Sequence, residues 1–275
     1  MITQIVLGFL GISSGIALMR IFRVMVPSRP RSSRRNPPNL YELYIPFIHL
    51  ILVWSFWKGV QHSNMYISVF GTILGLRLSS VGLTGSIASG KSTASAYLRD
   101  NLGYVVIDAD RIAREILDRD TSGYRAVIKT FGNSIVNPVT GHIDRVALGA
   151  VVFADPMRRR ALEQITHPRI VSKMVAELIW YRLTGHSVVL DVPLLFESPN
   201  PLLRFLCHER VLVDVDYHVQ KNRLMTRNPD LSEGQIEDRI RAQMSRAEKL
   251  KLADYVITNN GSIESFYTQL DVYFR

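Results

Sequence analysis

The amino-acid sequence predicts an α/β protein built on a five-stranded parallel sheet behind an apolar, basic leader. From Ser79 onward, short apolar runs alternate with segments of helical periodicity. This alternation is typical of a parallel sheet covered by helices on both faces. A glycine-rich loop also lies between the first apolar run and the first helical segment, where a helix N-terminus favours bound phosphate. Together these observations indicate a nucleotide-binding fold of the phosphate-loop class.

The predicted elements follow one another between residues 79 and 275. The strands are Ser79–Thr84, Tyr104–Ile107, Ser187–Asp191, Arg210–Val213 and Tyr255–Thr258. The helices are Lys91–Arg99, Arg111–Leu117, Gly123–Phe131, Arg145–Phe153, Pro156–Ile165, Arg169–Leu183, Tyr217–Arg227, Glu233–Met244 and Ile263–Tyr273. A Ser-x-x-Gln capping box at Ser232 and Gln235 marks the start of one of these helices.

Residues 1–78 differ from the rest of the chain in charge. They hold eight basic residues and one acidic residue, a net charge of +7, whereas 79–275 holds 25 basic and 23 acidic residues. The overall net charge of +9 therefore describes a nearly neutral domain behind a basic leader, which argues against a nucleic-acid partner. The single cysteine, Cys207, excludes an intramolecular disulfide and a zinc site built on several cysteines.

The leader has three interpretations. Two apolar runs, at 1–19 and at 43–57, flank an arginine-rich stretch, and the second ends in tryptophans. These features favour membrane association through residues 1–60, with the domain at 79–275 facing the cytosol by the positive-inside rule. The alternatives are a cleaved organellar presequence, which would make the protein mitochondrial, and a gene-model extension that the mature protein lacks.

The loop carries the strongest motif of the chain. Its sequence is Gly85-Ser86-Ile87-Ala88-Ser89-Gly90-Lys91-Ser92, followed by Thr93, and it fits G-x-x-x-x-G-K-S between a strand and a helix. Backbone N–H groups of such a loop converge on phosphate oxygens, the lysine reaches the β- and γ-phosphates, and the serine hydroxyl binds Mg²⁺. We therefore expect the loop to bind a nucleoside triphosphate, with Mg²⁺ as a cofactor.

Two carboxylates follow the second predicted strand. Asp108 and Asp110 lie at its carboxyl end, the edge of an open α/β sheet that faces the ligand crevice. One carboxylate there can orient an acceptor hydroxyl and accept its proton. The alternative is that Asp110 is only the N-cap of the helix that follows.

Several segments together resemble the dephospho-coenzyme A kinase family. The resemblance covers 79–275 and rests on segments in the order expected for the family: 81–93 with the loop, 107–115 with Ile-Asp-Ala-Asp, 167–168 with His-Pro, 191–197 with Asp-Val-Pro-Leu-Leu-Phe-Glu, 220–228, 231–233, 239–243, and 253–262 with Asn-Asn-Gly. Two departures are a Gly-Ser pair where family loops commonly begin Gly-Gly, from which we expect little effect, and the leader itself.

The resemblance implies a nucleoside-monophosphate-kinase-like fold, with a five-stranded parallel core, a helical substrate domain and a lid. It implies transfer of the γ-phosphate of ATP to the 3′-hydroxyl of dephospho-CoA. The roles that it implies are a general base for Asp110, phosphate contacts from the lid for Arg223 and Arg227, acceptor-side positions for Asp108, His167, Pro168 and Glu197, and a place near the adenine for Asn259, Asn260 and Gly261.

Some of these roles keep plain alternatives. Arg223 and Arg227 also fit a solvated helix face. Asp191 fits either a water-mediated Mg²⁺ contact or support of the turn at Pro193, and His167 fits a positional role better than a catalytic one. For the protein as a whole, the alternatives are another small-molecule phosphate-loop kinase, or a membrane-anchored nucleotide-binding protein without transferase activity.

Overall fold

The computed structural model describes residues 80–197 and 201–275. The predicted membrane association of residues 1–60 falls outside these ranges. No helix within them is long and apolar enough to cross a bilayer.

A five-stranded parallel sheet forms the centre of the fold, with strand order β2-β3-β1-β4-β5. The strands are β1 (Ser80–Gly85), β2 (Val105–Asp108), β3 (Val188–Asp191), β4 (Cys207–Asp214) and β5 (Tyr255–Thr258). β1 pairs with β3 on one side and with β4 on the other. All its residues are buried, as expected for a central strand covered on both faces. The predicted sheet is confirmed.

Ten α-helices are described around these strands. They are α1 (Lys91–Asp100), α2 (Ala109–Glu115), α3 (Ser122–Phe131), α4 (Arg145–Ala154), α5 (Pro156–Leu183), α6 (Pro201–Leu206), α7 (Tyr217–Arg227), α8 (Glu233–Arg241), α9 (Arg246–Leu252) and α10 (Ile263–Phe274), with a 3₁₀ turn at Asn133–Ile135. The last helix illustrates how the spacing of apolar residues forms a buried helix face. Phe266, Leu270 and Tyr273 recur at helical spacing on one face, and all three are buried.

The chain divides into two compact units. The first comprises the described residues up to Val106 together with those from Tyr181 to Arg275, and the second is Ile107–Trp180. The main core of the first unit includes Leu83, Leu98 and Phe266, and the second has its own core around Val127 and Phe131.

Two predicted helices are in fact one. The sequence predicts a break at His167 and Pro168, but α5 runs through both residues. Proline removes one backbone donor from a helix. The Arg169 guanidinium donates to the neighbouring Ile165 carbonyl at 2.6 Å, and the helix continues past the proline. The break prediction was therefore wrong.

Helix α9 was missed, although the sequence carried a signal for it. Ser245 and Glu248 form a capping box at its start, the same device that identified α8 from Ser232 and Gln235. The prediction extended the preceding helix to Met244 instead, whereas α8 ends at Arg241.

Candidate active site

The phosphate loop connects β1 to α1 in the first unit and requires glycine at position 90. Gly90 has φ of 93°, in the left-handed region. A Cβ atom at Gly90 would lie 2.1 Å from Nδ2 of Asn259. Both the backbone conformation and the close approach therefore require glycine at this position.

Two glutamines hold the tip of the loop. The Ile87 N–H donates to Oε1 of Gln243 at 3.0 Å, and the Ile87 carbonyl accepts from Nε2 of Gln220 at 2.9 Å. The Ile87 N–H therefore already has a hydrogen-bond acceptor within the protein. Phosphate oxygens would have to be bound by other N–H groups of the loop.

Asn259 holds the other end of the loop. Its Nδ2 donates to the Ser89 carbonyl at 2.8 Å, and its Oδ1 accepts from Nη2 of Arg223 at 3.4 Å. Asn259 was predicted near the adenine, yet the contacts that it makes here are with the loop and an α7 arginine.

Lys91 and Asp191 form an ion pair between the start of α1 and the carboxyl end of β3. The second oxygen of Asp191 accepts from the Ser95 hydroxyl at 2.6 Å. The Thr84 hydroxyl donates to the carbonyl of Pro193, at the turn that follows β3, at 2.9 Å. Asp191 therefore contacts the loop lysine and a second residue of α1.

Two polar atoms beside the loop are buried without a hydrogen-bond partner among the described residues, namely Ser89 Oγ and Arg223 Nη1. Buried polar atoms are nearly always paired. Unpaired donors at the loop suit an anion such as the phosphates of ATP. Arg227, one turn further along α7, is exposed.

Ser92 suits Mg²⁺ better than Asp191 does. The Ser92 side chain is exposed at the start of α1, and its hydroxyl is a suitable hard oxygen ligand. Asp191 is already engaged by Lys91 and Ser95, so a metal contact through it fits only an indirect, water-mediated form. In the described ranges, no cluster of three or more His, Cys, Asp or Glu is arranged as a metal site.

Asp108 and Asp110 belong to the second unit, where they differ in what their carboxylates do. Oδ1 of Asp108 accepts from the N–H groups of Asp110 and Arg111 at 2.8 and 3.3 Å, which makes Asp108 the N-cap of α2. The Asp110 side chain is exposed and hydrogen-bonds to none of the described residues. The alternative that Asp110 is the cap was therefore wrong.

A chain of ion pairs fastens α2 to α5. Arg111 contacts Glu115 and Glu177, each at 2.6 Å, and Lys173 contacts Glu115 at 2.5 Å. The hydrogen bond from Lys173 holds the pKa of Glu115 below its ordinary value; burial opposes this effect, and Arg111 reinforces it. This network holds the helix that carries Asp110.

The remaining predicted residues are placed as follows. His167 is half-buried and Pro168 exposed, both within α5. Glu197 Oε1 accepts from the Met244 N–H at 3.2 Å. Asn260 accepts from the Asp216 N–H through Oδ1 and donates to the Asp216 carboxylate through Nδ2, each at 2.8 Å. Gly261 is exposed.

Two features near the loop were missed by the sequence analysis. Arg246 bridges Asp214 and Asp216 at 2.8 and 2.6 Å. The hydrogen bonds with Asp214 raise the pKa of Arg246, against the opposing effect of burial. Lys249 is buried beside Ser86. Each lies on α9, so recognising the capping box at Ser245 would have identified the element that carries them.

Comparison with known proteins matches the same part of the chain. The family described as dephospho-CoA kinase matches residues 79–265. A dephospho-CoA kinase domain-containing protein of Danio rerio is 46% identical over 191 residues, which are 69% of this chain and 81% of that protein. Dephospho-CoA kinase CAB5 of Saccharomyces cerevisiae is 41% identical over 194 residues, which are 70% of this chain and 79% of that protein.

Solved structures are similar over the same extent. TT1252 from Thermus thermophilus has a TM-score of 0.59 and 36% identity, covering 70% of this chain and 94% of that one. Dephospho-CoA kinase from Campylobacter jejuni has a TM-score of 0.54 and 29% identity, covering 70% and 93%.

Proposed function

The chain belongs to the dephospho-CoA kinase family, and from this premise we propose how its own residues carry out the reaction. Its activity is ATP-dependent transfer of the γ-phosphate to the 3′-hydroxyl of dephospho-CoA, the last step of coenzyme A synthesis. The observation that carries this function is the phosphate loop with two unpartnered polar atoms beside it, Ser89 Oγ and Arg223 Nη1, in a chain of this family.

Asp110 is the general base. Because Asp108 spends Oδ1 on the helix cap, Asp110 is the carboxylate at the end of β2 that remains free to accept a proton. It takes the proton of the 3′-hydroxyl as that oxygen bonds to the γ-phosphorus and the bond from the γ-phosphorus to the β–γ bridging oxygen breaks. A base so placed accelerates transfer by ~10²–10⁴.

The loop and the α7 arginines bind the phosphates. Loop N–H groups and Lys91 bind the β- and γ-phosphates. Arg223 and Arg227 stabilise the negative charge that spreads over the phosphoryl group during transfer. The Ser92 hydroxyl would bind Mg²⁺ directly, and Asp191 would contact the ion through a water molecule. The ion would neutralise charge on the phosphate oxygens. Asn259, Asn260 and Gly261 line the nucleotide side, and His167, Pro168 and Glu197 the acceptor side.

The function is tested by supplying the full chain with ATP, Mg²⁺ and dephospho-CoA and measuring CoA formed. A panel of other acceptors, including nucleoside monophosphates and sugar acids, separates this activity from that of another small-molecule kinase. Lys91→Ala is the control. The Lys91 ammonium group contacts phosphate in both the ground state and the transition state, so its loss should reduce ATP binding and transfer together. ATP binding without transfer to any acceptor would instead favour a nucleotide-binding protein that lacks transferase activity.

Membrane association rests on the sequence of the leader alone. The apolar runs beside arginines at 1–60 favour an anchor that leaves the kinase domain in the cytosol. Resistance of the full-length protein to carbonate extraction would support this proposal. A soluble protein shortened near Arg35 would support a mitochondrial presequence instead.

A further inference from the structure

Lys249 is a buried cation next to the phosphate loop that the mechanism above does not use. It lies on α9 and is 2% exposed. A lysine is almost never buried to this extent unless it is paired. The position of Lys249 therefore calls for an account of what its ammonium group holds.

Three oxygen atoms lie around the ammonium group of Lys249. Nζ lies 3.2 Å from Oε1 of Glu197, 3.2 Å from Oγ of Ser86 and 3.4 Å from Oε1 of Gln243. The contacts with Ser86 and Gln243 are hydrogen bonds, and the contact with Glu197 is an ion pair. An ammonium group has donors and no acceptor capacity, so all three oxygens are suitable partners for it. Glu197 supplies the compensating charge, and the other two contacts lead to the loop.

The contact with Gln243 fixes the orientation of its amide. Oε1 of Gln243 faces both the Lys249 ammonium and the Ile87 N–H. Turning the amide over would bring its NH₂ group against two donors. Lys249 thus selects the orientation of Gln243 that binds the loop tip.

The contact with Ser86 acts on the loop directly. Ser86 is the residue that departs from the Gly-Gly start common in the family, and we expected little effect from it. Its hydroxyl accepts a hydrogen bond from the Lys249 ammonium group, which gives Lys249 a direct contact with the loop next to Ile87. The expectation of little effect for Ser86 therefore needs a direct test.

We propose that Lys249 is a positioning residue for the phosphate loop, which it shapes for ATP through Ser86 and through Gln243. In this role Lys249 acts through its contacts with Ser86, Gln243 and Glu197 and not through a contact with either substrate. The proposal rests on the proposed function only in taking ATP as the nucleotide. Its specific consequence is that loss of Lys249 impairs ATP binding more than turnover.

The test compares Lys249→Met with Lys251→Met in the full-length protein. Lys251 lies on the same helix and is exposed, so the control removes the same charge from the same element. For Lys249→Met we expect the Kd and KM for ATP to rise about tenfold, the size expected for a lost charge-assisted hydrogen bond. We expect the KM for dephospho-CoA to stay unchanged and kcat to fall by less than about threefold.

Three results would overturn the proposal: an unchanged Kd for ATP in Lys249→Met even if its melting temperature falls, an equal rise in Lys251→Met, or a fall in kcat alone. The Kd for ATP is measured by calorimetry without acceptor. A wild-type protein that binds ATP but leaves dephospho-CoA unmodified would refute the proposed function and still allow the role of Lys249 to be tested.

A second pair of variants serves if Lys249→Met does not fold. Gln243→Met and Ser86→Ala remove the acceptors and leave Lys249 paired with Glu197. We expect the Kd for ATP to rise about tenfold in the first, which frees the Ile87 N–H, and about threefold in the second. Wild-type affinity in both would overturn the proposal.

Discussion

The side chains that hold the phosphate loop lie far along the chain from it, whereas the cap that sets Asp110 in place is local. Gln220 and Gln243 lie 133 and 156 residues from the loop residue that they bind, and Asn259 lies 170 residues from its partner. Asp108, by contrast, caps α2 through the N–H groups two and three residues further on.

The two regions also differ in burial. The loop contacts of Asn259 and Lys249 come from side chains that are almost inaccessible to solvent. The ion pairs that fasten α2 involve side chains 21 to 41% exposed, and pairs of this kind contribute little stability. The phosphate loop is thus held by buried polar contacts, while α2, which carries the exposed Asp110, has partly exposed ion pairs and one fully buried side chain, Ile112. Substitutions in the two regions should therefore affect different steps.

The largest expected effect comes from Asp110. Asp110→Asn keeps the shape of the side chain and removes its ability to accept a proton, so kcat should fall by ~10²–10⁴. The Kd for ATP should stay at the wild-type value, because the loop is untouched. Single-turnover kinetics and ATP calorimetry measure the two quantities separately.

Asp108→Asn is the matched control. Asparagine caps helices as well as aspartate does, so its amide oxygen should still accept from the α2 backbone and turnover should change little. The reverse outcome, with normal turnover in Asp110→Asn and loss in Asp108→Asn, would move the base to Asp108.

A smaller effect should separate the two α7 arginines. Arg223 has a buried, unpartnered Nη1 and contacts Asn259, whereas Arg227 is exposed. We expect Arg223→Ala to reduce kcat by ~10², near the effect of removing one preorganised donor, and Arg227→Ala by less than ~10-fold. Full kcat in both variants would show that the arginines are surface charges, and equal losses would show that burial does not distinguish them.

The same contrast explains what the sequence could predict. The loop motif is contiguous, so Lys91 and Ser92 could be identified together with the strand and helix around them. Lys249 could not be assigned to the loop, because nothing local connects it to Ser86, 163 residues away. The sequence also could not show which of Asp108 and Asp110 caps α2. Both residues suit a helix N-terminus, and only the backbone geometry at the end of β2 decides which side chain is turned toward the N–H groups.

The smallest expected effect tests how much the ion pair between Lys173 and Glu115 contributes to stability. Lys173→Met removes the contact that does most to lower the pKa of Glu115. A carboxylate with a lowered pKa adds stability that is present above its unfolded pKa and lost as the pH falls through its folded pKa. We expect Lys173→Met to reduce the free energy of unfolding by ~0.2–1 kcal/mol at pH 7, and the difference from wild type to vanish well below pH 4.5, the ordinary pKa of Glu115.

Urea unfolding of the full chain across this pH range measures the effect, with Lys129→Met as the charge-matched control. Lys129 is exposed on α3 and makes no ion pair with the described residues, so its variant should match wild type throughout. A loss of several kcal/mol in Lys173→Met, or a loss that persists at low pH, would show that α2 is held by packing around Lys173. A small, acid-sensitive loss would instead show that the Lys173–Glu115 ion pair contributes little to stability and that α2 is held mainly by the packing of buried Ile112.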